Sequence, residues 1–303
     1  MYHYNYTNYD LGPLCKLRDW IPIEKLSLTR LSGNPNAIRL LEKNLDSINW
    51  NWLSGNPNAI PILEKNLDKI DWSCLSCNPN AIHLLEKNQD KIDWHRLSRN
   101  PNAIPILEQN LKNIFCWYQL SWNPNAINLL EQNPNKINLT WLSGNPNAIS
   151  MLEDNLEKID WNCLSSNPNA IHLLEQYPDK ISWIELSYNP NAIHLLEQKS
   201  DKIYWEMLSK NLNAIHLLEQ NLEKISWFYL SKNPNAIHLL EQNQDKINWA
   251  ILSDNPSIFE YDYEAMRGRM MPLAEDLMAD RFHPRNFEKW VGWGFEECQE
   301  CEF

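Results

Sequence analysis

The chain has 303 residues, 43% of them hydrophobic, with seven glycines and fifteen tryptophans, a composition that excludes a disordered polymer. Its formal net charge of −12 disfavours nucleic-acid phosphates as the main partner. No apolar run approaches the ~18 residues of a membrane span, the N-terminal segment lacks the basic-then-apolar pattern of a signal peptide, and the seven unevenly spread cysteines fit reduced thiols. These features predict an intracellular protein that does not enter a membrane.

Residues 1–30 read as an N-terminal cap holding a degenerate half-unit, with Leu28 in a slot that tryptophan fills later. From Leu31 to Ile251 ten units follow, and an eleventh begins at Leu252. Aligned on Asn-Pro, the step is 22 residues, except for one of 23 between Pro101 and Pro124; Leu212 replaces the proline once. A fixed period of this length signals stacked supersecondary units.

Within a unit, Asn34 is a good helix N-cap and Pro35 suits the first helical position. Ala37, Ile38, Leu40 and Leu41 then share one face of a helix of about nine residues. Asn44 and its equivalents suit a left-handed C-terminal cap. Next, Asn49 and the Asn, Asp or Ser in its slot read as a second N-cap. Ile48 before that cap and Leu53 after it form a hydrophobic staple. This second helix has one to two turns, α or 3₁₀. The tryptophans at 50, 72, 94, 117, 161, 183, 205, 227 and 249 recur in register and are expected in the core between units rather than as a base-stacking ladder. In the 23-residue unit, Phe115 or Cys116 falls in the cap slot, which predicts a local bulge with the register recovered by Leu120.

The wording "LSxNPNAIxLLExNxDKIxW", over about residues 17–257, resembles the repeats of uncharacterised proteins of giant, mimivirus-like DNA viruses. The His-Pro segment near the C-terminus resembles theirs more loosely. The resemblance implies no established activity; it implies a viral protein in the host cytoplasm or the virion. At the level of fold, the alternation resembles leucine-rich-variant and HEAT-like arrays. The expectation is an all-α, right-handed, elongated and open-ended solenoid without sheet. Residues 258–303 then serve as a helical C-terminal cap or docking segment, with an interruption at Pro272.

Candidate chemistry is sparse. His83, His172, His194, His216 and His238 share an outer slot and read as a solvated column rather than metal ligands. Cys74–Cys77 and Cys298–Cys301 are both C-x-x-C, the latter near His283, but their separation along the array opposes a shared zinc. Columns of Glu at 42, 64, 86 and onward, and of Lys at 69, 91, 136 and onward, read as an alternating solvated surface. No phosphate loop, nucleophile elbow or zinc-protease pattern occurs. No enzyme, cofactor or metal is expected.

The variable letters carry the functional signal, because slots that do not build the scaffold can be tuned to a ligand. They hold Trp52, Arg96, Tyr118, Trp122, Trp141, Tyr188, Met207, Phe228 and Tyr229, residue types that dominate interface hot spots. The expectation is a non-enzymatic scaffold that binds a protein partner through these positions, with neither nucleic acid nor membrane as partner. The alternative is a self-associating structural or virion-assembly protein.

Overall fold

The repeated letters build an all-α solenoid of 22-residue units, seen in a computed structural model that describes residues 14–114 and 116–281. In the first unit the Asn34 side-chain oxygen accepts from the Asn36 backbone N–H at 3.0 Å. Pro35 lies inside that capped turn, and the first helix starts only at Ile38, running Ile38–Glu42. The nine residues expected as one helix are thus a turn and a five-residue helix. At Pro101–Ala103 and Pro234–Ala236 the turn tightens into 3₁₀.

Asn44 is not left-handed: its φ is −135°. Its amide instead donates back to the Leu40 carbonyl at 2.9 Å, capping the helix end with a side chain rather than with a positive φ. A 3₁₀ turn, Leu45–Ser47, follows. The second helix, Trp50–Ser54, is α, and Asn49 caps it by accepting from the Trp52 N–H at 3.1 Å. The staple residues Ile48 and Leu53 are both buried.

The tryptophan slot departs from the expected core. Trp50, Trp72, Trp183 and the others are half-buried, and the fully enclosed side chains are leucine, alanine, serine and asparagine, with Ile258. A flat indole at the first helical position lies on the flank of a unit. Lysine from the following unit covers it: Lys69 over Trp50 at 4.8 Å, Lys91 over Trp72 at 4.6 Å and Lys246 over Trp227 at 4.9 Å. Four lysines of the column, with Lys224 over Trp205 at 4.8 Å, therefore act as clamps.

Four hydrogen bonds from three side chains join each unit to the one before. The buried amide of Asn56 donates to the carbonyls of Ser32 and Asn34, both at 3.0 Å. Asn58 donates to the Pro35 carbonyl at 2.9 Å. The Ser32 hydroxyl accepts from the Asn49 N–H at 3.0 Å, 17 residues on. The same set recurs along the chain.

The array does not end. Asn34, in the first unit, donates to the carbonyls of Ser253 and Asn255 at 2.9 and 3.0 Å. Asn36 donates to Pro256, and the Ser27 N–H to the Ser253 hydroxyl. Lys25 lies over Trp249 at 4.7 Å. Each interior contact is thus repeated between the first and last units, so the Leu17–Phe259 portion, one compact unit, is a closed ring. The expected open, elongated array is wrong for a geometric reason: stacking curves the units until the two ends meet and bury each other. The ring contains eleven second helices, the first being Leu28–Leu31. The degenerate N-terminal half-unit and the final Asn-Pro turn are two halves of one split unit. Arg30 to Asp254, at 2.8 Å, adds an ion pair at the seam.

Neighbouring second helices pack against one another, whereas first helices are bridged mainly through side chains. A ring has its shorter circumference inside, so the second helices form the inner wall.

Where an eleventh first helix would begin, strands β1 (Cys15–Leu17) and β2 (Phe259–Tyr261) form a small sheet, contrary to the expectation of none. The other compact unit comprises 1–16 and 260–303. Within it Lys16 pairs with Glu260 at 3.3 Å, and the Asp262 carboxylate caps a helix, Tyr263–Arg281, by accepting from the Ala265 N–H. That helix continues through Pro272 instead of breaking there. The His-Pro segment, His283 and Cys298–Cys301 lie outside the described residues.

Replacing Asn34 with Ala should cost about 2–4 kcal/mol, because it leaves two buried carbonyls without donors. Asn145→Ala should cost about the same, since the seam repeats an interior junction. Denaturant melts of the two variants check this. A neutral Asn34→Ala beside a costly Asn145→Ala would mean an open array.

Candidate functional site

Each second helix turns a constant Leu-Ser pair into the core and leaves three variable positions on the opposite side. In the first full unit these are Asn51, Trp52 and Gly55, none of them fully buried. The scaffold bonds leave this layer free, and all nine residues singled out from sequence lie on it. They fall into three groups.

Trp52 and Arg96 line a shallow hollow of about 290 Å³ with Cys74 and Cys77. The Arg96 guanidinium donates to the Cys74 sulfur at 3.8 Å, and Cys77 donates to the Arg96 carbonyl at the same distance. Burial, followed by the Asp71 charge, pushes the Cys74 thiol up, and burial does the same at Cys77 against the pull of Arg96. Raised thiols are poor nucleophiles. Among the described residues no three His, Cys, Asp or Glu gather as a metal site would require. Asp93 is held below the usual carboxylate range: burial acts to raise it, but bonds from the Ser73 hydroxyl and the Arg96 N–H and the Arg96 charge outweigh that.

Tyr118, Trp122 and Trp141 form an aromatic cluster, with ring centroids 5.6 Å apart for Tyr118–Trp141 and 5.8 Å for Trp122–Trp141. His95 extends it, its ring nitrogen 2.8 Å from the Tyr118 hydroxyl. The 23-residue unit supplies Tyr118 and Trp122. Cys116 provides no side-chain cap there, yet Leu120 is fully buried and Asn123 makes both ring bonds, so the register recovers as expected. Phe115 lies outside the described residues.

Tyr188, Met207, Phe228 and Tyr229 line a trough of about 740 Å³ that crosses the seam to Arg30 and Asp254. Tyr188 and Phe228 are 47% and 49% exposed, large apolar surfaces without a scaffold duty. Lys210 falls in a variable slot legible in the sequence, whereas sequence reasoning missed Arg30, Lys232 and Asp254 here. Only closure brings Arg30 to Asp254, 224 positions away, and a linear reading has no signal for it.

Variable slots are also fitted to one another. A Cβ on Gly33 would come 2.9 Å from Cε3 of Trp52 in the next unit, and a Cβ on Gly144 would collide with the Trp122 ring. The glycines make room for tryptophans next door. On the outer wall the histidine column pairs with the glutamate column across units, His83 to Glu64 at 2.9 Å and His238 to Glu219 at 2.7 Å. These pairs are half-exposed, so each adds on the order of 0–1 kcal/mol.

Among the described residues no helix is long and apolar enough to cross a membrane. No protein-family model, curated protein or solved structure matches the chain.

Gly144→Ala should destabilise by about 1–3 kcal/mol through overpacking and should shift tryptophan fluorescence as Trp122 is displaced. Adding Trp122→Ala should recover most of the loss. Additive losses in the double-mutant cycle would count against the fitted pair.

Proposed function

We propose that the ring is a non-catalytic scaffold that holds a protein partner through the variable positions of its second helices. The carrying observation is that the layer left free by the scaffold bonds gathers exposed Trp52, Trp141, Tyr188 and Phe228 together with Arg96 and Lys210. Half-exposed aromatics and cations on a rigid backing are the chemistry of interface hot spots. The raised thiols and solvated His–Glu pairs do not couple a nucleophile to a base, which supports a non-catalytic reading. An acidic chain is poorly suited to nucleic acid. The alternative, a self-associating structural or virion-assembly protein, loses end-to-end stacking as a route to assembly, since the seam bonds join the unit ends to each other. The wording of the repeats supports a viral protein acting in host cytoplasm or virion.

The test pairs melting with partner retention after affinity purification from the native cell. Leu186→Ala, at a fully buried site, should cost about 2–5 kcal/mol of stability. Trp141→Ala, Tyr188→Ala and Phe228→Ala should each cost within about 1 kcal/mol. Each of the three should nonetheless weaken partner retention by about 1–2 kcal/mol. Normal melting with full retention in all three would reject the scaffold reading.

A further inference from the structure

The trough at the seam gathers charged side chains among its aromatic ones. Three cations, Arg30, Lys210 and Lys232, share it with two carboxylates, Glu185 and Asp254, in a chain of net charge −12. The Asp254 side chain is only 9% exposed, and its Oδ2 is committed to Arg30 at 2.8 Å and Lys232 at 3.7 Å. One buried carboxylate thus anchors two cations in the wall. Lys210 has no carboxylate within ion-pair distance among the described residues; its ammonium lies 3.9 Å above the Tyr229 ring and 3.4 Å from the Met207 sulfur. An ammonium held on an aromatic face beside the exposed rings of Tyr188 and Phe228 offers a charge to an incoming anion and apolar surface to its neighbour.

We infer that this trough binds an extended acidic peptide segment, its carboxylates to Lys210 and Lys232 and its apolar side chains against Tyr188 and Phe228. The inference rests on the scaffold reading and names the partner's chemistry. Its shape favours a chain over a compact ligand, because the lining residues come from five successive second-helix segments, from Glu185 to Arg30 across the seam. Charge complementarity favours an acidic one.

The experiment uses the full chain and fluorescence anisotropy with a short labelled peptide repeating Glu-Phe-Glu-Leu, its counterpart with Gln for every Glu, and labelled ATP. The acidic peptide should bind saturably, more weakly as salt is raised, and the Gln peptide about tenfold less tightly or worse. Lys210→Gln combined with Lys232→Gln should weaken the acidic peptide by about tenfold at an unchanged melting temperature. Should that double variant melt early, Lys210→Met, which keeps the long stem on Tyr229, is read in its place. Equal binding of both peptides, or unchanged binding by the lysine variants, overturns the inference. Binding of ATP with no binding of the acidic peptide also overturns it, in favour of a phosphate ligand. If neither peptide binds while Trp141→Ala still loses its partner, the acidic-segment inference fails and the scaffold reading stands.

Discussion

The fold depends on one side chain, the buried asparagine of each Asn-Pro pair. Its amide has two N–H donors and one acceptor, and each has a fixed task. The oxygen caps its own turn, and the nitrogen reaches two carbonyls of the preceding unit. Aspartate would bring a charge and no donor, serine is too short, and glutamine would hold the units farther apart. Because the asparagine is at most 2% exposed in every unit, each of these bonds forms without competition from water. Leu212 in place of proline is tolerated for the same reason, since Asn211 keeps both of its bonds.

Much of this architecture was legible in sequence, because local rules set it. The caps at Asn34 and Asn49, the staple of Ile48 and Leu53, the 22-residue period and the recovery at Leu120 follow from short-range chemistry. The failures share a cause. Asn44 reads as a left-handed cap because asparagine tolerates that conformation, but its amide could also reach the Leu40 carbonyl and did. Trp50 reads as core because it is large, but its helical position sets it on a flank beneath Lys69. Closure was the least legible feature. It depends on the accumulated curvature of eleven junctions, and no single unit encodes it. The candidate residues were found because aromatics at non-scaffold slots stand out. Their grouping, and the cations beside Asp254, required the ring.

The regular scaffold also explains why the variable layer can vary. Core bonds run through backbone carbonyls and invariant side chains, so a change at Trp52 or Tyr188 leaves them intact. The constraint that does act on these slots is lateral, as the glycines at 33 and 144 show. At these two positions a tryptophan in one unit requires a glycine in the neighbouring unit, so this part of the wall is specified in adjoining pairs.

The split unit has a consequence for how the molecule comes apart. In an open array the terminal repeats touch one neighbour and fray first. Here every second helix has two neighbours, and breaking any single junction releases no end. The chain must lose two junctions before a segment can leave, one of which can be the seam. Forming the seam requires loop closure over 219 residues, yet that entropy grows only as the logarithm of length, to roughly 5 kcal/mol. Once closed, the ring leaves none of its second helices with a single neighbour.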